Sequence, residues 1–212
     1  MKSLKSITTA CLAVAFFLVS GAVTPITNMA ATQWKIDKAH SKLSFEVIHF
    51  FTPVSGQFTD YNSEIYFSPD NLEESSIDVE VQVSSIDTDN EKRDGHLQSD
   101  DFFNAEEYPT ITFSSDEIVK RSGENEYAAI GTLTIKDVSE EVELPFTVLG
   151  IRDHPMQENT RLAGIKFTKT INRNDYNVGT GDWVATAVVG GEVDITGTLE
   201  LNTVSGTDSS SM

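Results

Sequence analysis

The stretch Ile77-Asp-Val-Glu-Val-Gln-Val83 alternates apolar and polar side chains without a break. Neighbouring side chains of a β-strand point to opposite faces, so this period of two predicts a strand with one buried face and one wet face. Such half-buried strands are typical of antiparallel sheets. We expect the four apolar side chains, Val79 and Val81 among them, to point inward, because the acidic and amide side chains between them need water.

The same alternation recurs on both sides of this stretch. It is found in Leu43–Val47, Ile111–Phe113, Leu133–Ile135, Val142–Val148 and Val193–Leu201. Turn-forming residues separate the runs, as in Ser68-Pro-Asp-Asn71, Ser122-Gly-Glu-Asn125 and Val189-Gly-Gly191. About eight strands at hairpin spacing predict one all-β domain, either a sandwich or a barrel.

One segment breaks the strand pattern. Thr88-Asp-Asn-Glu91 resembles a capping box, with Thr88 as the N-cap and Glu91 at the third helical position. A short helix is predicted to continue to Gln98, although Gly95 weakens it. An irregular turn at Asp100–Asn104 follows. In a barrel connected by hairpins, we expect such a long connection to form a lid or an end plug.

The beginning of the chain is typical of a secretory signal peptide. Two lysines precede the apolar run Ala10–Val19, and small residues follow it. The run is short for a membrane span, which needs ~20 residues. We therefore expect residues 1–31 to be removed, with cleavage after Ala22, Ala30 or Ala31, and no stable membrane span to remain. The expected location is the periplasm or the outside of the cell.

Residues 32–202 then form the single domain, and residues 203–212 are predicted to be a disordered polar tail. The formal net charge is -18, and so acidic a surface repels phosphate backbones and anionic membranes. We expect no nucleic-acid partner. Cys11 is the one cysteine and lies in the signal segment, so the mature part offers no thiol for a disulfide, a nucleophile or a metal.

The motifs of common enzyme classes are absent from the sequence. The four histidines, His40, His49, His96 and His154, have no metal-ligand spacing, and a spatial zinc cluster of the first three is a minority hypothesis. Asp87–Lys92 begins like a calcium loop but has Lys92 where that loop needs glycine. Neither Gly-x-Ser-x-Gly nor a glycine-rich phosphate loop is present. We expect no metal and no cofactor.

A closed barrel of eight strands can hold one small ligand in its lumen, and alternating apolar residues suit an apolar ligand. The same residues would equally fill a dry core. From the residues alone, the dry core is favoured by roughly two to one.

An ordered set of motifs adds a resemblance to a known family. The set includes Phe45-x-Val47-x-His49, Gly56-x-Phe58, Arg93-Asp-Gly-His-Leu97, Asp101-Phe-Phe-Asn104, Tyr108-Pro-Thr-Ile-Thr-Phe113 and Ile171-Asn-Arg173. Together, across essentially all of residues 32–202, these motifs resemble the YceI-like family of bacterial exported proteins.

The resemblance implies a lipocalin-like barrel of eight antiparallel strands with a short helical insertion. It also implies an apolar tunnel for polyisoprenoids, isoprenoid quinones or fatty-acid derivatives, and homodimers among the exported members. The residues expected to bind the ligand are Phe45, Val47, Phe58, Val79, Val81, Arg93, Asp94, His96, Phe102, Phe103 and Phe113.

Within the insertion, we interpret Arg93 and Asp94 as an ion pair that pins it to a strand, and His96 as a candidate for the tunnel mouth. An equally weighted alternative is that all three residues only fix the insertion. Phe102 and Phe103 would close one end. After Arg173, Tyr176-Asn177 replaces the usual Phe-Gly turn of the family, and the turn is expected to survive because Asn tolerates a left-handed backbone.

The first hypothesis is therefore a carrier for a long apolar lipid. One alternative is a lipid-modifying enzyme that uses His96 with Asp94 or Asp100 as acid and base. The other is a structural or stress-related exported module with a filled core.

Overall fold

The structure, a computed structural model, describes residues 30–203. One antiparallel sheet dominates this part of the chain. Its strands are β1 (Gln33–Ile36), β2 (Lys42–His49), β3 (Thr52–Phe58), β4 (Tyr61–Tyr66), β5 (Ser76–Gln82), β6 (Ile86–Asp87), β7 (Thr110–Lys120), β8 (Glu126–Ile135), β9 (Val138–Asp153), β10 (Arg161–Asn172) and β11 (Val189–Thr203). The helix α1 (Glu91–Gln98) lies between β6 and β7, and short 3-10 turns occupy Lys38–His40, Val83–Ser85, Arg173–Tyr176 and Gly181–Val184.

The eleven strands close into an eight-stranded barrel because three positions in the wall are each occupied by two short strands. Both β1 and β2 pair with one edge of β11, through Trp34 opposite Thr203 and Lys42 opposite Thr198. The pairs β3 with β4 and β5 with β6 continue the wall in the same way. Long hairpins from β7 to β11 complete it. The predicted all-β, eight-stranded antiparallel barrel is confirmed.

The alternation in β5 has the predicted orientation. Val81 is 6% exposed and pairs with Tyr61 on β4 and Ile111 on β7. Ile77, Val79 and Val81 all face the lumen, whereas Glu80 is exposed. The hydration of the acidic face thus sets the register of the strand.

One end of the barrel interior is closely packed. Trp34 is buried and donates its indole N–H to the carbonyl of Phe67 at 2.9 Å. The ring of Phe67 meets Tyr127 edge-on at 5.2 Å, and Tyr127 stacks on Phe146 at 5.5 Å. Because Ala163 and Leu201 fill the space beside these rings, this end forms a dry core that holds the wall together.

The helix of the insertion is confirmed, but its predicted cap is wrong. Asn90 is the N-cap, and its side chain accepts a hydrogen bond from the backbone N–H of Arg93 at 3.0 Å. Glu91 is the first helical residue. The reason is Asp89, whose φ of 58° turns the backbone away from a helical path, so that the helix begins only after Asn90. Thr88 is buried beneath the helix.

The remaining expectations concern the turn after β10 and the two ends. Asn177 adopts a left-handed backbone with φ 54° and ψ 31°, as expected. Thr203 belongs to β11 and pairs with Trp34 of β1, so the strand extends one residue into the predicted tail. The rest of that tail and the signal segment before residue 30 lie outside the described residues. Within residues 30–203, no helix has the length and apolarity that a helical membrane crossing requires.

Candidate ligand-binding cavity

An internal cavity of about 240 Å³ lies between the packed core and the insertion. Inward-facing side chains from strands all around the barrel line it. Its wall consists almost wholly of aliphatic and aromatic groups. A cavity of this size far exceeds a packing defect, since a single water needs only ~10–15 Å³. The interior is therefore a filled core at one end and a cavity beyond it.

Most of the predicted binding residues line this cavity. They are Phe45, Val47, Phe58, Val79, Val81, Phe102, Phe103 and Phe113. The ring of Phe58 lies 5.7 Å from that of Phe45 and 6.3 Å from that of Phe103. These aromatic contacts join the wall at β2 and β3 to the insertion.

Arg93 and Asp94 lie outside the cavity lining, and the ion pair predicted between them is not formed. Arg93 donates from Nε to the hydroxyl of Thr88 at 2.7 Å and from Nη2 to the Thr88 carbonyl at 2.6 Å. Asp94 accepts from the backbone N–H of Thr88 at 3.0 Å and also from its hydroxyl. The two charged groups bind the same threonine, so they fix the insertion to the end of β6.

His96 is also outside the lining. Its Nε2 lies 3.1 Å from Asp101 Oδ2, and its ring meets the rings of Phe102 and Trp183 edge-on, each at 5.0 Å. The acid–base alternative required Asp94 or Asp100 as its partner, but Asp94 is committed to Thr88. The geometry gives His96 a role in packing the insertion against the segment that contains Trp183.

That segment, residues 173–184, closes the same end of the barrel together with the insertion. Val178 and Tyr176 pack with Phe102 and Ile135 in a second apolar cluster. Leu97, Phe102 and Phe103 from the insertion and Val178 from the segment face the cavity. The insertion thus forms one part of an end plug, and residues 173–184 form the other part.

Arg173 organises the other half, and sequence reasoning did not assign it to the site. The residue is 4% exposed, and its guanidinium donates to four backbone carbonyls. Nε bonds to Gly190 at 2.8 Å and Nη1 to Val178 at 2.7 Å, while Nη2 bonds to Trp183 at 2.7 Å and Val189 at 2.9 Å. Burial lowers the pKa of Arg173 below its usual range, because the charged guanidinium loses hydration.

A glycine makes this arrangement possible. Gly179 has a φ of 100°, and a side chain there would place its Cβ 2.2 Å from Nη1 of Arg173. The guanidinium therefore fits against this turn only because residue 179 has no side chain. The sequence signal for Arg173 was its place in the family motif Ile171-Asn-Arg173, which does not by itself indicate a buried charge.

The three histidines of the minority zinc hypothesis do not converge. His96 pairs with Asp101, and the His49 ring lies against Phe50 at 4.6 Å. His40 instead meets Asp37 and Glu200, with Nδ1 at 2.9 Å and 3.6 Å from their carboxylate oxygens. Across residues 30–203, this trio, in which His40 is exposed and the two carboxylates are partly buried, is the one group of three metal-ligand side chains that comes together, with ligand atoms within 4.8 Å.

Titration of His40 tests this trio. The hydrogen bond to Asp37 raises the pKa of His40 above 6.5, and the charges of Asp37 and Glu200 add to the effect. A histidine with a raised pKa stabilises the fold at pH values below its unfolded pKa, and this contribution is lost as the pH rises through the folded pKa. We expect Asp37→Asn to lower the pKa of His40 towards 6.5 in an NMR titration.

Glu200→Gln is the matched control and should lower the pKa less, because that carboxylate is farther from Nδ1. An unchanged His40 titration in Asp37→Asn would contradict the assignment.

Comparison with known proteins gives a consistent match. Residues 34–201 match the model of the YceI-like domain. The UPF0312 protein PC1_2518 of Pectobacterium carotovorum is 33% identical over 153 residues, which cover 71% of this chain and 78% of the relative. Among solved structures, BcnA of Burkholderia cenocepacia aligns with a TM-score of 0.69 and 31% identity, over 78% of this chain and 98% of BcnA.

A more distant likeness concerns the fold alone. A polyisoprenoid binding domain from Saccharophagus degradans aligns with a TM-score of 0.58 at 13% identity. The alignment covers 82% of this chain and 99% of that domain.

Proposed function

Because the chain belongs to the YceI-like family, we propose that it is an extracytoplasmic binding and carrier protein for a long apolar lipid. The lipid class is a polyisoprenoid, an isoprenoid quinone or a fatty-acid derivative, with the tail held in the barrel. The observation that carries the proposal is the apolar cavity, which the packed core bounds on one side and the insertion with residues 173–184 on the other.

The chemistry of the lining favours such a tail. A buried water needs two to four polar partners, and the aliphatic and aromatic wall offers it almost none. A hydrocarbon tail instead gains ~0.8 kcal/mol for each CH2 that it buries. Binding of this kind depends on length and apolarity more than on shape, so we expect tolerance to chain length. The polyisoprenoid-binding description of the Saccharophagus degradans domain supports this ligand class.

We propose binding rather than catalysis because no suitable pair of acid–base groups from residues 30–203 faces the cavity. His96, the residue on which the enzymatic alternative depended, contacts Asp101 and two aromatic rings outside the lining. The extracytoplasmic part of the proposal rests on the charge and hydropathy pattern of residues 1–31.

Native mass spectrometry of protein purified gently from its own host tests the proposal. We expect a stoichiometric lipid mass that organic extraction removes. Val79→Trp should reduce this load, because Val79 faces the cavity and a large ring there occupies the volume of the tail. Overpacking by the new ring costs about 1–3 kcal/mol of folding stability. A melting experiment therefore checks that the variant is still folded when its lipid load is measured.

Glu80→Trp is the matched control, since it places the same ring on the exposed face of the same strand. This variant should keep the lipid. A wild-type protein without lipid, or an equal load in both variants, would contradict the carrier function.

A further inference from the structure

The charged residues of the cavity lining are few and share one sign. The chain has a net charge of -18, yet within the part that the structure describes the charged residues that line the cavity are Lys169 and Arg173. Both belong to one edge of the site, because the inward positions of β10 run Ile165, Phe167, Lys169 and Ile171 before the chain reaches Arg173. The cavity therefore carries a local positive charge within an acidic protein.

The two cations differ in how their donors are used. The guanidinium of Arg173 is committed to four backbone carbonyls that hold the closing segment. Lys169, in contrast, has no hydrogen-bond or ion-pair partner anywhere in residues 30–203. It is partly buried, and its register neighbour on β11 is Ile195. Lys169 lies between Phe167 and Ile171 in the inward series of β10, so its neighbours in that series are apolar and supply no counter-charge.

Lys169 lies just beyond the point where β9 and β10 stop pairing. β9 and β10 pair from Asp153 opposite Arg161 as far as Phe146 opposite Phe167, and their pairing ends there. Beyond this point β10 continues to pair with β11, whereas β9 continues to pair with β8. Pro145, which has no N–H to donate, is the β9 residue next to the last pair.

Lys169 is thus the first inward residue of β10 past the end of this ladder. Its methylene stem can line the cavity while its ammonium reaches the place where the hydrogen-bonded wall ends. This is the geometry of an amphipathic side chain at the mouth of an apolar site.

We propose that Lys169 binds the acidic headgroup, a carboxylate or a phosphate, of a lipid whose tail occupies the cavity; the inference rests on the proposed function. An anion that leaves water at an apolar mouth needs a charged hydrogen-bond donor, and Lys169 has three uncommitted N–H groups. The acidic surface elsewhere repels such an anion, so the headgroup is directed to this position.

Matched pairs of probes test the proposal on the delipidated protein. Oleic acid is compared with oleyl alcohol, and farnesyl phosphate with farnesol, by calorimetric titration. The wild type should bind the acidic member of at least one pair more tightly. Lys169→Met, which keeps the stem and removes the charge, should weaken binding of that acid roughly five-fold and leave the alcohol unchanged.

Two further variants complete the experiment. Lys169→Arg should retain the preference, and so should Lys166→Met, which removes an exposed charge from the outer face of the same strand. The pair with the larger discrimination identifies the headgroup as carboxylate or phosphate.

Equal binding of acids and alcohols by the wild type would overturn the headgroup inference while supporting lipid binding. A preference that survives in Lys169→Met would do the same. If the wild type binds no member of either pair, the inference and the proposed function both fail.

Discussion

Val81→Asp should lower the free energy of unfolding by about 3–5 kcal/mol and abolish lipid binding at the same time. Val81 is 6% exposed, lies between Tyr61 and Ile111 in the wall, and faces the cavity. The substitution removes a buried apolar side chain and places a carboxylate where apolar neighbours exclude the water that would hydrate it. The same carboxylate would lie against the tail of the ligand.

The penalty should depend on pH with a defined sign. Burial raises the pKa of the introduced carboxyl above its unfolded value of ~3.9, because the charged form loses hydration. The destabilisation is therefore complete above the folded pKa, and it becomes smaller as the pH falls towards the unfolded value. Urea denaturation at neutral pH and near pH 4.5 measures both the loss and its partial recovery.

Thr132→Asp is the matched control, since it places the same carboxylate on the exposed face of β8. Its loss of stability should be much smaller than that of Val81→Asp and limited to about 1 kcal/mol, because the new carboxylate is hydrated and meets only the repulsion of Glu141 opposite it on β9. Wild-type stability or an unchanged lipid load in Val81→Asp would mean that this face of β5 does not enclose the ligand.

The sequence predicts the orientation of β5 because hydration decides it locally. The acidic and amide side chains of this strand can be satisfied in water, so their alternation with Ile77, Val79 and Val81 leaves one possible inner face. β10 lacks this clarity and was missed as a strand. Its inward series is interrupted by Lys169, so the period of two fails at the position that we assign to the headgroup.

The insertion shows where local pattern reasoning ends. A threonine three residues before a glutamate fits a capping box, but the left-handed backbone of Asp89 moves the start of the helix to Glu91. Likewise, Arg93 and Asp94 are neighbours of opposite charge, yet each binds Thr88 instead of the other. These choices depend on how the chain enters the helix from β6, which residue spacing does not specify.

The family resemblance implied the cavity, but the residue pattern alone could not separate it from a filled core. A filled core and a lined cavity use the same alternating residues, and only the volume left between opposite walls separates them. Trp34, Phe67, Tyr127 and Phe146 converge at one end and fill it. In the other half of the lumen, the rings of Phe45, Phe58 and Phe103 contact one another along the wall, and the space between opposite walls remains as the cavity.

Arg173→Met should loosen the closing segment and lower the free energy of unfolding by about 3 kcal/mol. The variant leaves the carbonyls of Val178, Trp183, Val189 and Gly190 without their shared donor. A buried acceptor without a partner costs ~1–3 kcal/mol. The expected loss of stability is smaller than the cost of four unpaired carbonyls, because the substitution also removes the cost of burying the charged guanidinium.

The location of the change distinguishes this expectation from general destabilisation. Hydrogen exchange should accelerate in residues 174–190 while β7 and β8 stay protected, because the dry core at the other end does not involve Arg173. Lipid should dissociate faster from the variant, because the loosened segment around Val178 leaves this end of the cavity open for a larger fraction of the time. Arg173→Lys should resemble Arg173→Met, because one ammonium cannot reproduce the fork that reaches four carbonyls.

Arg161→Met is the matched control: Arg161 is an exposed arginine at the start of β10, the strand that ends just before Arg173. Its backbone N–H, rather than its side chain, makes the hydrogen bond to Thr203. It should leave exchange and dissociation unchanged. If Arg173→Met gives uniform exchange across the barrel, the arginine supports the whole fold instead of the closing segment. If it gives wild-type exchange and dissociation, the four hydrogen bonds do not keep this end closed, and the insertion closes it alone.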